Sequence, residues 1–140
     1  MHRTELRLAH GALALIVAYV CVDILYRSFS AQIFHPPPGS TKLIARGEIL
    51  VESCTACHYL DQRANFIGPQ LVGIIGRPVA DADQYDYSSS LRRTQGSWSP
   101  ERLEDFLHDP QTFAPGTKMS VAGWSKGDAK AIVAYLQSKD

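Results

Sequence analysis

The sequence predicts an all-α fold, with a helical domain over residues 41–140 behind a single N-terminal membrane-spanning helix. Three observations carry this. Apolar residues recur at helical spacing near both ends of the domain, at Leu43, Gly47, Leu50 and Cys54 and again at Ala129, Ile132, Val133 and Leu136. No stretch alternates apolar and polar residues as a half-buried strand does. Near the N-terminus, an apolar run follows two arginines. A chain of 140 residues has room for one compact domain plus an extension. Its 14 basic and 14 acidic residues cancel, which leaves no electrostatic footprint for nucleic acid.

Residues 1–30 read as a membrane anchor. Arg3 and Arg7 precede a charge-free run from Gly11 to Val22, 12 residues long, which by itself suits the core of a signal peptide. Extended from Leu8 to Tyr26 it reaches 19 residues, nearly 30 Å of helix at about 1.5 Å per residue, enough to span a bilayer. His10 and Asp23 then fall near the two interfaces, Tyr26 joins the aromatic belt, and the arginines hold the N-terminus in the cytoplasm. Ser28-Phe29-Ser30 before Ala31 offers small residues to a signal peptidase, so export with cleavage is the alternative to a retained anchor. Cys21, after Val20, reads as an apolar packing residue.

Residues 31–40 are a linker. Pro36-Pro37-Pro38 favours a stiff polyproline segment, and ten residues at about 3.1 Å each reach only about 30 Å. Such a tether holds the domain at 41–140 close to the membrane. Ser40 or Thr41 caps the domain's first helix. Gly47 within it costs about 1 kcal/mol against alanine, which a close helix crossing would justify. A short helix is expected around Ser88–Arg93. A middle helix starts with Ser99 as N-cap and Pro100 at N1, runs through Phe106 and Leu107, and stops before Pro110. Ser125 and Asp128 form an approximate capping box for the last helix, whose apolar stripe packs on the first.

The chemistry lies at the end of the first helix, in Cys54-Thr55-Ala56-Cys57-His58. This spacing is the attachment signature of a c-type haem. Two thiols three positions apart each add to a vinyl group, and the adjacent imidazole becomes an axial ligand of the iron. A zinc site would want a second ligand pair, and the one other cysteine is Cys21. Covalent haem attachment happens outside the cytoplasm, so the domain must be exported. Met119, the one methionine besides the initiator, sits in Pro115-Gly116-Thr117-Lys118-Met119 and is the expected second axial ligand. Met/His ligation raises the potential and suits an electron carrier.

With these motifs in order, the domain resembles the class I cytochromes c, in the branch of mitochondrial and bacterial c2-type proteins. The resemblance rests on the haem pentapeptide and on Gly68-Pro69-Gln70-Leu71-Val72-Gly73-Ile74-Ile75-Gly76-Arg77. It continues in Tyr85-Asp86-Tyr87-Ser88, Trp98, the Met119 motif and Ile132-Val133-Ala134-Tyr135-Leu136. It implies the class I cytochrome c fold, helices wrapped around one covalent haem c. It also implies roles. The Pro69 carbonyl takes the ring N–H of His58, Arg77, Tyr87 and Trp98 hydrogen-bond the haem propionates, Gly47 and Tyr135 belong to the terminal-helix crossing, and Lys118 lies by the haem edge. With its N-terminal extension the chain resembles membrane-bound bacterial cytochromes c of respiratory chains.

Several positions depart from the pattern. Gly47 comes seven residues before Cys54 rather than eight, with Arg46 in the expected place, and Leu50 stands for a bulky aromatic. Phe106 replaces a tyrosine, Leu91 an asparagine and Val121 an aromatic, which predicts a drier pocket on the methionine side and a smaller docking surface. Residues 41–140 carry 11 Lys and Arg against 12 Asp and Glu, a net of −1 before the propionates. The strong field that steers a basic shuttle is missing, and a short tether would compensate by raising effective concentration.

The expected function follows. This is a non-enzymatic electron carrier without a small-molecule substrate, anchored in the inner membrane with its haem domain on the periplasmic side. The resemblance implies a cytochrome bc1-type complex as donor and a terminal oxidase as acceptor. The alternatives are a haem subunit of a dehydrogenase, a soluble periplasmic shuttle after cleavage, or a catalytic or gas-binding haem protein, for which His108 is the one downstream histidine able to replace Met119.

Overall fold

A computed structural model of the chain describes residues 17–26 and 40–139. The chain divides into two compact units, 1–37 and 38–140, and each is taken by itself. In the first, residues 17–26 are helical. Val17, Tyr19, Val20, Val22, Ile24, Leu25 and Tyr26 all stand exposed, as does Cys21. Among the described residues no helix is long and apolar enough to cross a membrane. The expected span from Leu8 to Tyr26 lies partly outside them, and so does the expected linker up to residue 39.

The second unit is helical, with one isolated antiparallel bridge, Pro78 to Ser97, and no strand among its described residues. Helix α1 runs Ser40–Val51 and tightens into a 3-10 turn at Glu52–Ala56. After a long irregular stretch come α2 (Ser89–Arg93), α3 (Pro100–His108), α4 (Pro110–Phe113) and α5 (Lys126–Gln137).

The starts are written in cap chemistry. The hydroxyl of Ser88 accepts from the Leu91 amide, Ser99 from Arg102 and Ser125 from Asp128, each satisfying an orphan N–H of a first turn. Ser125 also donates its hydroxyl to the Asp128 carboxylate at 2.8 Å, a side-chain pair where a full capping box would have a bond to the Ser125 amide. Ser40 departs from expectation. It lies inside α1, and its buried hydroxyl finds no partner, so it caps nothing. Helix α4 was not expected, because Pro110 reads as a stop. Here Asp109 caps the Thr112 amide at 3.0 Å and Pro110 takes N1, so the same proline that ends α3 opens a new turn.

The core is where α5 packs on α1 and α3. Ala129, Ile132, Val133 and Leu136 are all buried, as the stripe predicts. At the α1–α5 crossing a Cβ on Gly47 would lie 1.9 Å from the Ala131 carbonyl oxygen and 2.8 Å from Tyr135 Cβ. Gly47 is therefore the crossing glycine despite its shifted register. Its neighbour Arg46 reaches across the same junction and donates from Nε to the Asp128 carboxylate at 2.7 Å.

Gly47→Ala should cost about 3 kcal/mol in overpacking, the upper end of the usual range, because the added Cβ meets backbone of α5 and not a movable side chain. That loss would outweigh the roughly 1 kcal/mol gained in helix propensity. Guanidinium denaturation followed by far-ultraviolet circular dichroism checks it, and an unchanged or more stable variant would contradict the crossing.

Candidate functional site

The 3-10 turn that ends α1 builds one wall of the site. Cys57 and His58 both donate their amides to the Cys54 carbonyl, at 3.0 and 2.9 Å, which winds the pentapeptide tightly. The turn brings both thiols and the imidazole to the same cavity. Cys54 is buried and Cys57 half-buried, and they are not paired with each other in a disulfide.

His58 is held by the next segment. Its Nδ1–H donates to the Pro69 carbonyl at 2.6 Å. That bond fixes the tautomer and leaves Nε2 with its lone pair free for a metal. Burial lowers the His58 pKa, opposed by the Pro69 hydrogen bond, so the neutral ligand form prevails. Gly68 makes the approach sterically feasible, because a Cβ there would lie 2.3 Å from His58 Cε1. The Gly68 amide donates to the Cys57 carbonyl at 2.7 Å and Leu71 to Tyr59 at 2.9 Å, so the segment is laced to the pentapeptide it supports.

The cavity holds about 350 Å³. One part of its wall is apolar and belongs to helices: Leu103, Phe106 and Leu107 of α3 and Ile132 and Leu136 of α5, all buried. Leu91 adds to it from α2. Phe106 stacks into a cluster with Trp98 and Phe113, at ring separations of 5.3 and 5.4 Å. The positions where the family pattern has polar groups are thus filled by packed hydrocarbon.

The polar part of the wall comes from the irregular stretch. The Trp98 amide donates to the Arg77 carbonyl at 2.9 Å, and the Gly76 amide to the Trp98 carbonyl at 2.8 Å, which sets Arg77 and Trp98 side by side at the isolated bridge. The Arg77 guanidinium donates to the carbonyls of Gln70 and Val72, at 2.8 and 3.2 Å. The Tyr87 hydroxyl accepts from the Ala82 amide at 3.3 Å, and its ring meets Tyr85 edge-on at 4.7 Å. Arg77, Tyr87 and Trp98 all line the cavity.

The last wall is the loop that carries Met119. Thr117, Lys118, Met119, Ser120 and Val121 line the cavity. Trp124 anchors the loop's far end by donating its amide to Leu107 and accepting from His108 Nδ1. His108 is exposed, spends its ring on that carbonyl and does not line the cavity. All eight predicted site residues (Cys54, Cys57, His58, Pro69, Arg77, Tyr87, Trp98 and Met119) therefore meet at one cavity. Two thiols, an imidazole with a free nitrogen, a thioether, an apolar helical wall and a polar remainder fit a covalently held amphipathic macrocycle with two axial ligands. Sequence reasoning missed the cradle at Gly68, visible only as part of Gly68-Pro69. It also missed the partner of Lys118, whose ammonium is bound by Asp86.

Known proteins agree with this geometry. A family model described as cytochrome c matches residues 44–140. Cytochrome c2 of Agrobacterium tumefaciens is 41% identical over 98 residues, covering 66% of this chain and 88% of that protein. The cytochrome c-type protein cyt cy of Rhodobacter capsulatus is 40% identical over 88 residues, covering 62% of this chain and 44% of that longer protein. Among solved structures, cytochrome cH from Methylobacterium extorquens superposes with a TM-score of 0.62 at 34% identity, covering 67% of this chain and 96% of that chain.

Two substitutions separate the two axial sides. Met119→Ala should keep haem covalently attached and abolish the weak near-infrared sulfur–iron band of the ferric protein. His58→Ala should impair attachment itself, read as haem-stained protein on a denaturing gel. A Met119→Ala protein that kept the band would overturn the ligand assignment.

Proposed function

The chain belongs to the cytochrome c family, in its class I, c2-like branch, and on that premise we propose that it relays single electrons between respiratory complexes from a membrane tether. The cofactor is one haem c, attached through Cys54 and Cys57, and the family's work is electron transport. Bound haem supplies the Fe(III)/Fe(II) couple. The observation that carries the reading is the convergence of Cys54, Cys57, His58 and Met119 on one cavity. His58 and Met119 would hold the iron of a bound haem between them, leaving no coordination position for a substrate.

The chain's own residues prepare that exchange. His58 keeps its orientation through Pro69, and Met119 is presented by a loop anchored at Trp124. The apolar wall of α3 and α5 keeps water from the macrocycle's faces. Arg77, Tyr87 and Trp98, which line the cavity, would hold the propionates, otherwise carboxylates in a poorly solvated pocket.

The finer reading concerns place and partners. Residues 1–30 form a single-pass anchor in the inner membrane, residues 31–40 the tether, and the haem domain faces the periplasm. The exposed apolar helix at 17–26, continued by the apolar sequence before it, supports the anchor. A cytochrome bc1-type complex is the donor and a terminal oxidase the acceptor. The net charge of −1 over 41–140 favours a tethered encounter over one steered by a long-range field.

Intact mass of the haem-bearing polypeptide from washed membranes and from the soluble extract tests this. Full-length protein plus one haem in the membranes, co-purifying in mild detergent with bc1 or oxidase subunits, is the expected result. A soluble species lacking about the first 30 residues, as a cleaved signal leaves, would replace the tether with a diffusing shuttle. Co-purification with a dehydrogenase alone would reassign the partners.

A further inference from the structure

We propose that Asp86 is a positioning residue for Met119, strapping the ligand loop through Lys118 to the cavity wall that carries Tyr85 and Tyr87. This rests on the reading of Met119 as an axial ligand. Lys118 precedes Met119, and its ammonium donates both to the backbone carbonyl of Asp86 and to its carboxylate, 32 residues away in sequence. Asp86 lies between Tyr85 and Tyr87, which line the cavity, as Lys118 and Met119 do from their own segment. The contact therefore joins two walls of one site.

The loop depends on this strap. Upstream, Thr117 donates its amide to Ala114 at 2.9 Å, and Gln111 bonds Gly116 and Thr117. Downstream, Trp124 is held by Leu107 and His108. From Lys118 to Ala122, the loop's hydrogen bonds to other segments among the described residues are those of Lys118 to Asp86. The Met119 amide has a local partner, the Thr117 hydroxyl at 3.4 Å.

Asp86 is itself braced. Arg92 of α2 donates to its other carboxylate oxygen at 2.9 Å, so a cation fixed on a helix keeps the carboxylate from following Lys118 outward. The two cations hold the Asp86 pKa down to about 2, so the carboxylate is charged at neutral pH. All three side chains are at least half exposed. Exposed ion pairs are weak and screened by salt, so the strap biases the loop by a few-fold and does not lock it.

That weakness gives the test its signature. An external ligand reaches the iron only when Met119 has swung away, so its apparent affinity reports the fraction of open loop. Imidazole is titrated into the ferric holoprotein at neutral pH, at low and high salt, for the parent chain, Asp86→Asn and Asp86→Glu. At low salt Asp86→Asn should bind imidazole about two- to fivefold more tightly, the equivalent of one exposed pair, and Asp86→Glu should lie close to the parent. Added salt should raise the parent's affinity toward that of Asp86→Asn while leaving the variant nearly unchanged. Equal affinities at low salt, or parallel salt responses in parent and Asp86→Asn, would overturn the strap. So would a gain in imidazole affinity fully matched by a fall in global stability, read by guanidinium unfolding of each variant. A parent protein without the near-infrared sulfur–iron band would instead fail at the ligand assignment, and the strap would fall with it.

Discussion

The crossing of α1 and α5 at Gly47 is the contact on which the site depends. With the Ala131 carbonyl so close that no side chain fits between, the two helix backbones touch. That contact fixes the position of α1 against α5, and so the position of the tight turn that follows it with Cys54, Cys57 and His58. The same stretch of α5 turns Ile132 and Leu136 toward the cavity. One backbone contact thus sets two of the site's walls, and the Arg46–Asp128 pair bridges the junction from outside.

The remaining walls are made without regular structure, and hydrogen bonds replace helix packing there. The segment after the pentapeptide is laced to it through Gly68 and Leu71, and Arg77 and Trp98 are paired through a single bridge. This division of labour suits an electron carrier. Rigid helices supply the apolar surface that excludes water, and short irregular segments place the few polar groups and ligands. Walls built this way would keep His58 and Met119 in place if the iron of a bound haem changed charge. Met119 is the more weakly held of the two, because its loop is anchored at its ends and strapped by an exposed ion pair, while His58 is seated in a backbone cradle.

Much of this was legible in the sequence because it is local. Ser99-Pro100 and Ser125 through Asp128 are cap signals readable within four residues, and the haem pentapeptide carries its own geometry. The stripe through Ala129, Ile132, Val133 and Leu136 needs only the helical period. The crossing at Gly47 was readable from the cost of a mid-helix glycine, even with its register shifted. What was missed is either ambiguous or distant. Pro110 both stops α3 and starts α4, and only the backbone tells which role dominates. Ser40 looks like a cap, but it lies inside the helix. The bond between Lys118 and Asp86 joins residues 32 apart through an irregular stretch, and no periodicity announces it.

His58 and Met119 would close a bound haem iron on both sides, which suits a protein that carries electrons without binding a substrate at the metal. Carbon monoxide added to the ferrous protein at neutral pH tests it most directly. The account predicts little or no binding, with the ferrous spectrum unchanged on the timescale of mixing. Rapid, stoichiometric binding would contradict it and place the protein among haem proteins with an open coordination site.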